Sequence, residues 1–346
     1  LLYNIKTNIA TFISKTRITG KDGSIIHTRS GTYNLATGEA IFFDRTSFSD
    51  STHSGIADKI AYDKNTGTLQ MEGNAKLVDS ANQVTVIGNQ IFVDTKKNSF
   101  LATRKPVMIF YRDGDSTYVA ADTLFSGLRK YDSLERRVIT HTDTLNTSMA
   151  VNTNSKDTSI RYFLAFHHVR IFNDSLQAVS DSLHYSTVDS TFKLFGEPVV
   201  WNNQSQVTGD TIYMYTENQK AKRFYVFNNG MIINKSNDAM YNQIAGRTLN
   251  GYFVNGVIDY VRIKGSPAES IYYPQDDDSA FIGMNRSSGD VIDIYFVNKE
   301  LNKVKFINSV DGTLYPLRQI PAELKQLKGF KWLDKRRPKN KLELFE

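Results

Sequence analysis

Apolar and polar side chains alternate along most of this chain with a period of two, the spacing of β-strands that bury one face and wet the other. Asp58, Ile60 and Tyr62 share one face, while Ala57, Lys59, Ala61 and Asp63 share the other. Further on, Leu69, Met71 and Leu77 fall together, opposite Gln70, Glu72 and Lys76. The same alternation assigns to the inner face Ile91, Val93, Phe100, Met108, Phe110, Leu124, Leu183, Tyr185, Phe192, Leu194 and Val200. It continues through Ile212, Met214, Phe224, Val226, Ile232, Val261 and Ile263. Val107 to Tyr111 is apolar on both faces, which leaves its register open. Turns with Gly or Asn where positive φ is needed separate these runs: Ala36-Thr37-Gly38, Asn65-Thr66-Gly67, Asp113-Gly114 and Val254-Asn255-Gly256. The expected elements are antiparallel hairpins.

The hairpins repeat. One phrase, an apolar residue followed by a small one, a polar one, a free position and an aliphatic, occurs as Ile56-Ala57-Asp58-Lys59-Ile60 and Ile87-Gly88-Asn89-Gln90-Ile91. It returns as Ala120-Ala121-Asp122-Thr123-Leu124, Val179-Ser180-Asp181-Ser182-Leu183, Thr208-Gly209-Asp210-Thr211-Ile212 and Ala245-Gly246-Arg247-Thr248-Leu249. The closing aliphatics are 31, 33, 59, 29 and 37 residues apart, and the 59 suggests two periods with a degenerate copy near Asp157 to Ile160. A long meander with one apolar face must twist and cover that face, by curling over or by folding into two facing sheets. Its two end strands offer unpaired edges for strand addition.

Composition agrees with an all-β chain. Of 346 residues 40% are apolar and 23% charged, a globular mixture, and 18 Tyr and 21 Phe favour strands. Cysteine is absent, which excludes disulfides, zinc-thiolate and iron-sulfur sites, thiol nucleophiles and a cysteine-linked lipid anchor. Of the net charge of +6, the last 26 residues carry +4, so a basic nucleic-acid groove through the body is not expected. No apolar run reaches the 18 or so residues of a membrane-spanning helix. The opening Leu1-Leu2-Tyr3-Asn4-Ile5 reads as a strand already under way, with a signal peptide absent from this chain.

The stretch from Ile56 to Asp63, followed by Gly67-Thr68-Leu69-Gln70-Met71-Glu72-Gly73-Asn74-Ala75-Lys76-Leu77-Val78-Asp79, resembles the hallmark unit of the OstA/LptA-like family of lipopolysaccharide transport proteins, which takes in LptA and the N-terminal periplasmic domain of LptD. The unit returns in Val207 to Tyr215, and Phe195-Gly196-Glu197-Pro198-Val199 matches the earlier Gly73-Asn74-Ala75. Gly312-Thr313-Leu314-Tyr315-Pro316-Leu317, followed by Lys328-Gly329-Phe330-Lys331-Trp332-Leu333, is similar to the ending of the large OstA-like proteins of Bacteroidota. The resemblance implies an elongated, open, V-shaped β-jelly roll. It further implies a periplasmic protein without catalytic residues, associated with the outer membrane, whose apolar interior shields lipid A acyl chains. The partners it implies are lipopolysaccharide and other transport proteins joined by edge-strand addition, with head-to-tail self-association as a further option. Expected units are a first module over 1–130, a second over 131–317, and a basic helical tail over 318–346.

On this reading the inner-face residues, from Ile60 to Ile263, are the lipid-binding set; the alternative is that they pack against one another as an ordinary core. An acyl chain of about a dozen carbons needs on the order of 10 kcal/mol of shielding, at roughly 0.8 kcal/mol per methylene. In the tail, Pro321 to Leu327 reads as a short helix ended by Gly329. Lys335, Arg336, Arg337, Lys339 and Lys341 form a basic run, either a solvated, frayed end or a contact for lipid phosphates or an anionic membrane surface. Phe330 and Trp332 beside them fit an interfacial role or docking over an open end of the sheet.

Catalysis finds little support. No nucleophile elbow, P-loop, dinucleotide or zinc-protease motif occurs, and no cofactor is expected. His167 and His168, adjacent in a strand, point to opposite faces and so cannot chelate one metal. His27, His53, His141 and His184 stand apart, and Asp276-Asp277-Asp278 lacks the spacing and central Gly of a calcium loop, which favours a solvated turn. The triplets Asp122-Thr123-Leu124 and Asp181-Ser182-Leu183 are expected to start strands through side-chain to backbone hydrogen bonds. Two rivals to a lipid carrier remain at this point: a structural envelope repeat with a filled core, and a polysaccharide-processing β-helix enzyme. The latter requires parallel coils, against which the hairpin turns argue.

Overall fold

The computed structural model describes residues 1–112, 115–130, 159–217, 220–297 and 300–345. Within them the chain forms one 27-stranded sheet in which every pairing is antiparallel. The expected all-β architecture of repeated antiparallel hairpins is borne out. The sheet is folded lengthwise into two arms that meet at a corner. Long strands such as Thr68–Asp79, Val84–Asp94, Ser159–Phe172 and Lys220–Lys235 cross the corner, pairing with one set of neighbours in the first arm and another in the second. Thr68–Asp79, for example, pairs with Lys59–Asp63 in the first arm and with His53–Ala57 in the second. At about 4.8 Å per strand the first arm is about 80 Å long.

The repeated phrase of the sequence builds the corner. At seven of these crossings the chain turns through two successive left-handed residues: Asp44-Arg45, Gly73-Asn74, Arg104-Lys105, His167-His168, Gly196-Glu197, Asn228-Asn229 and Asn308-Ser309. The neighbouring strand brings the polar residue of the phrase alongside, and its backbone N–H donates to the kink: Asp58 to Gly73 O at 3.0 Å, Asp122 to His167 O at 3.0 Å, Asp181 to Gly196 O at 3.2 Å, Asp210 to Asn228 O at 3.2 Å. Side chains close the clasp, as Asn74 Nδ2 donates to Asp58 at 2.8 Å and Asn229 Nδ2 to Asp210 at 3.0 Å. Gly73 and Gly196 have φ of 73° and 75°, and a Cβ on either would fall within 2.6 Å of the clasping aspartate. Glycine is required there by both backbone and space.

Three expectations change at the corner. The period-two rule puts Ala57 on the wet face, yet it is fully buried in the core, because the inner parity switches between Ala57 and Ile60 as the strand rounds the corner. The aspartates of Asp122-Thr123 and Asp181-Ser182 clasp the kinks rather than simply starting strands. The interval of 59 is one period, not two. Thr123–Lys130 pairs directly with Ser159–Phe172, so residues 131–158 join the two strands of one hairpin, and without those 28 residues the interval is 31. Ile160 lies at the far end of that hairpin, opposite Arg129, and forms no corner; Asp113-Gly114, His141 and Asp157 lie outside the described residues.

After its last strand, Asp311–Pro316, the chain turns back as a strap along the outer face of the second arm. The short C-terminal helix is reduced to single 3-10 turns: Leu317–Gln319, Ala322–Leu324, Asp334–Arg336 and Lys341–Leu344. The strap is neither frayed nor seated on an open end of the sheet. Leu327 packs with Met231, Ile233, Ile271 and Met284, Leu333 with Val179, Val199 and Trp201, and Leu344 with Val107, Ile109 and Ala120. Phe330 and Trp332 meet Tyr241, with ring centroids 5.5 and 5.4 Å away. That cover explains why Val107 to Tyr111 is apolar on both faces.

Candidate functional site: the apolar interior between the arms

Between the arms runs one apolar cluster that draws residues from both. Burial within it is graded. Next to the corner, Met71, Ile91, Leu124, Val226, Leu249 and Ile263 are 0% exposed. One step outward on the same strands, Leu69, Val93 and Phe100 in the first arm and Leu77, Val84 and Ile232 in the second are only half-buried. The interior is closed at the corner and increasingly accessible toward the rims. Phe110 of the second arm meets Phe163 of the first edge to face, with centroids 6.1 Å apart, so the arms touch at that depth. Tyr185 and Phe192 pair at the first arm's rim at 4.4 Å. At the N-terminal end an open cleft of about 670 Å³ is lined by Thr11, Phe12, Ile13, Lys15, Arg29 and Asp44, among others.

The expected inner-face residues fall into this cluster with one exception. Ile60, Leu69, Met71, Leu77, Ile91, Val93, Phe100, Met108, Phe110, Leu124, Leu183 and Tyr185 all belong to it or pack on it. So do Phe192, Leu194, Val200, Ile212, Met214, Phe224, Val226, Ile232, Val261 and Ile263. Tyr62 is 36% exposed at the hairpin end and stands outside the cluster. Burial and the nearby Tyr33 push its hydroxyl above the usual tyrosine range. Alternation missed Ala57, Ala75, Ala102 and Ala165, all 0% exposed beside the corner, because alanine carries little weight in an apolar count.

The basic run is divided. Lys335 and Arg336 are exposed. Arg337 donates through Nε to Gln177 Oε1 at 2.8 Å and through Nη1 to Asn203 O at 2.8 Å, Lys339 pairs with Asp334 at 2.6 Å, and Lys341 lies 5.8 Å from the Tyr118 ring. Sequence reasoning also missed the residues that hold the strap. Gln177, Gln206 and Gln243 are 4%, 0% and 1% exposed. Gln206 donates to Lys331 O at 2.8 Å and accepts from Leu333 N at 2.7 Å; Gln243 donates to Lys325 O at 2.9 Å and accepts from Leu327 N at 2.8 Å. The amides of Gln206 and Gln243 bond the strap's backbone as a neighbouring strand would, while Gln177 accepts from the Arg337 side chain. Their spacings of 29 and 37 repeat those of Leu183, Ile212 and Leu249, a signal present in the sequence.

The histidines do diverge, through a kink rather than through strand alternation: His167 Nδ1 lies 3.1 Å from Asp181, and His168 Nδ1 lies 2.9 Å from Asp122 on the other neighbour. Hydrogen bonds from Ser182 and His167 hold the Asp181 carboxyl below its usual value. Asp276 accepts backbone N–H groups from Asp278 at 3.1 Å and Ala280 at 2.8 Å, the geometry of a solvated turn. Among the described residues no group of three or more His, Asp or Glu side chains is placed to hold a metal. Among the described residues no helix is long and apolar enough to cross a membrane.

Both ends of the sheet are open among the described residues. Leu2–Asn4 and Thr16–Thr19 each pair on one side only, as do Glu300–Ile307 and Asp311–Pro316 at the other end. Leu1, Leu2 and Ile5 are 65%, 61% and 81% exposed at the N-terminal edge.

Residues 3–99 match the family described as LptA/(LptD N-terminal domain) LPS transport protein. The resemblance to the OstA/LptA-like family expected from the repeated motifs is borne out. No curated protein matches the chain. Among solved structures, LptH of Pseudomonas aeruginosa, the LptA-homologous periplasmic component of the lipopolysaccharide transport device, is similar at a TM-score of 0.29 and 11% identity, over 42% of this chain and 82% of its own.

Proposed function

We propose that this chain is a non-enzymatic periplasmic carrier that shields the acyl chains of lipopolysaccharide between its two arms on the way to the outer membrane. The observation that carries the reading is the graded interior: one apolar face, continuous through both arms, buried at the corner and half-open at the rims. A multi-chain lipid needs such a surface, since each exposed methylene costs roughly 0.8 kcal/mol. The family match over residues 3–99 supports the lipid assignment. Met71, Met108 and Met214 give the wall adaptable side chains. Sugar and phosphate groups remain in water, and the open edges at either end receive the neighbouring transport proteins by strand addition, or a second copy head to tail. The modules 1–130 and 131–317 act as one continuous trough.

The test is photocrosslinking to purified lipopolysaccharide from Ile60, Met71, Ile91 and Met214, with Lys59 and Gln70 as outer controls. Adducts are expected from inner positions only, strongest at half-buried Met214. A folded protein that gives no adducts would instead be a structural β-repeat with a filled core, and equal labelling of both faces would also sink the reading.

A further inference from the structure

The outer face of the first arm, in its C-terminal half, carries an organised surface that neither the trough nor the strap uses. Three cross-strand rows lie side by side there. One runs Tyr215, Arg223, Tyr252, Tyr260, Tyr295, Lys303 on consecutive strands; the next runs Lys193, Tyr213, Tyr225, Asn250, Arg262, Asp293, Lys305. The third contributes Phe227, 4.7 Å from Tyr213 and 4.4 Å from Tyr225 between ring centroids. Strands about 4.8 Å apart and rows about 7 Å apart make this a flat platform about 24 Å long and about 14 Å wide.

Its chemistry is specific. Tyr252, Tyr260 and Tyr295 follow one another at 5.7 and 5.0 Å and are half-buried. The Arg223 guanidinium sits 5.4 to 5.5 Å from the rings of Tyr215, Tyr225 and Tyr252. Its Nε donates to Asn250 at 2.6 Å, and among the described residues its two Nη groups have no hydrogen-bond partner and no carboxylate. Lys303 and Lys305 are exposed at the end of the rows. The carboxylates nearby are spoken for: Asp293 is buried and held by Arg262 and Tyr260, and Asp189 pairs with Lys193. The platform therefore offers aromatic surface, tyrosine hydroxyls, and an excess of positive charge.

We propose that this platform binds an anionic oligosaccharide. Ring faces carry negative partial charge and take the polarised C–H faces of sugars, while a guanidinium with both Nη groups free takes a phosphate or carboxylate in two-point contact. Cross-strand aromatic pairs stabilise any sheet, but that role does not call for a cation without a counter-charge at their centre. A membrane surface fits less well, because these rings are half-buried and tied down, the Tyr252 hydroxyl accepting from Asn250 and the Tyr260 hydroxyl donating to Asp293.

The experiment titrates the full chain by calorimetry with the phosphorylated, acyl-free oligosaccharide cut from lipopolysaccharide, with uncharged maltohexaose, and with phosphatidylglycerol vesicles. An acyl-free probe has nothing to place in the trough, so the result is independent of the crosslinking test. Expected are binding of the phosphorylated sugar, a tenfold or greater loss in Arg223→Gln, a smaller loss in the exposed-site variant Lys303→Glu, and weakening by salt. Thermal melting checks that each variant is folded. The proposal is overturned by no binding to the unmodified chain, by equal affinity for maltohexaose, by binding that folded Arg223→Gln and Lys303→Glu leave unchanged, or by binding to vesicles but not to the sugar.

Discussion

The two arms share an inner face and differ on the outside. Behind the second arm, Val107, Ile109, Val199, Trp201, Met231, Ile233, Ile271 and Met284 form a second apolar layer sealed by the strap. Behind the first arm the surface is open, with Phe92, Leu101 and Phe166 exposed toward the N-terminal end and the tyrosine rows toward the other. A sheet with two dry faces is fixed by packing on both sides; one with a single dry face relies on its cross-strand pairs and on the corner. Where the strap covers it, the second arm is thus packed on both faces. The first arm is packed on its inner face alone.

The largest expected effect comes from removing that asymmetry. A chain lacking residues 318–346 would expose the outer layer of the second arm. Losing the burial of Leu327 and Leu344 and the half-burial of Phe330 and Trp332 alone costs about 5–9 kcal/mol, at about 1.5–3 kcal/mol for each fully buried large side chain and about half that for the other two. The truncated chain is expected to aggregate or to lose its cooperative melting transition. If it melted within a few degrees of the full chain, the strap would be an ornament and the contrast between the arms empty.

On the first arm the corresponding weak point is Asp293, whose side chain is 2% exposed and held by Arg262 at 2.8 Å and Tyr260 at 2.7 Å. Burial by itself would raise this carboxyl; the hydrogen bonds and charge of Arg262 and Tyr260 outweigh it and keep it below the usual carboxylate range. Asp293→Ala is expected to cost about 3 kcal/mol, the low end for a broken buried pair because Arg262 is 38% exposed. A carboxyl depressed in the folded state stabilises fully above its unfolded pKa of about 3.9 and loses that contribution as pH falls through the folded value. Urea unfolding should therefore show a gap between the two proteins that is constant near pH 7 and narrows below about pH 4. A gap independent of pH would show that packing, not charge, is what the substitution removes.

A smaller effect is expected from Gln206→Ala. It leaves Trp201 Nε1 and Leu333 N without their acceptor and Lys331 O without its donor, about 2–3 kcal/mol for one well-made buried cluster. Hydrogen exchange should speed up at Leu333 and in the strand Val199–Asn202 while the first arm keeps its protection. Uniform loss across both arms would mean that they are not separable in stability.

The inner face was legible because period-two alternation is a direct record of which side of a strand is dry, and twenty-two of the twenty-three residues it named lie in the interior cluster. The corner was half legible. Its phrase was visible as a repeat, but a pair of left-handed residues such as Arg104-Lys105 has no composition signal, since neither Arg nor Lys is a residue that favours positive φ. The strap was not legible as a strap. A basic segment with scattered Leu, Phe and Trp looks like a loose end until its partner is known, and the partner is a run of outward positions in distant strands. Two signals did exist: strands apolar on both faces, which require a cover, and the three glutamines spaced with the repeat.

The corner belongs to both arms, and a substitution there should favour neither. His168 has φ of 53°, and its bond to Asp122 joins side chains that are 85% and 57% exposed. An exposed pair of this kind contributes little. Glycine at this position relieves the cost of a left-handed backbone but widens the unfolded ensemble, two effects of similar size and opposite sign. His168→Gly is expected to change stability by no more than about 0.5 kcal/mol, whereas His168→Val, β-branched in the same conformation, should cost about 1 kcal/mol or more. Chemical denaturation of the two variants separates backbone from side chain. If glycine cost as much as valine, the histidine–aspartate bond would be holding the corner, and the clasp would rest on side chains at this kink rather than on the bond from Asp122 N to His167 O.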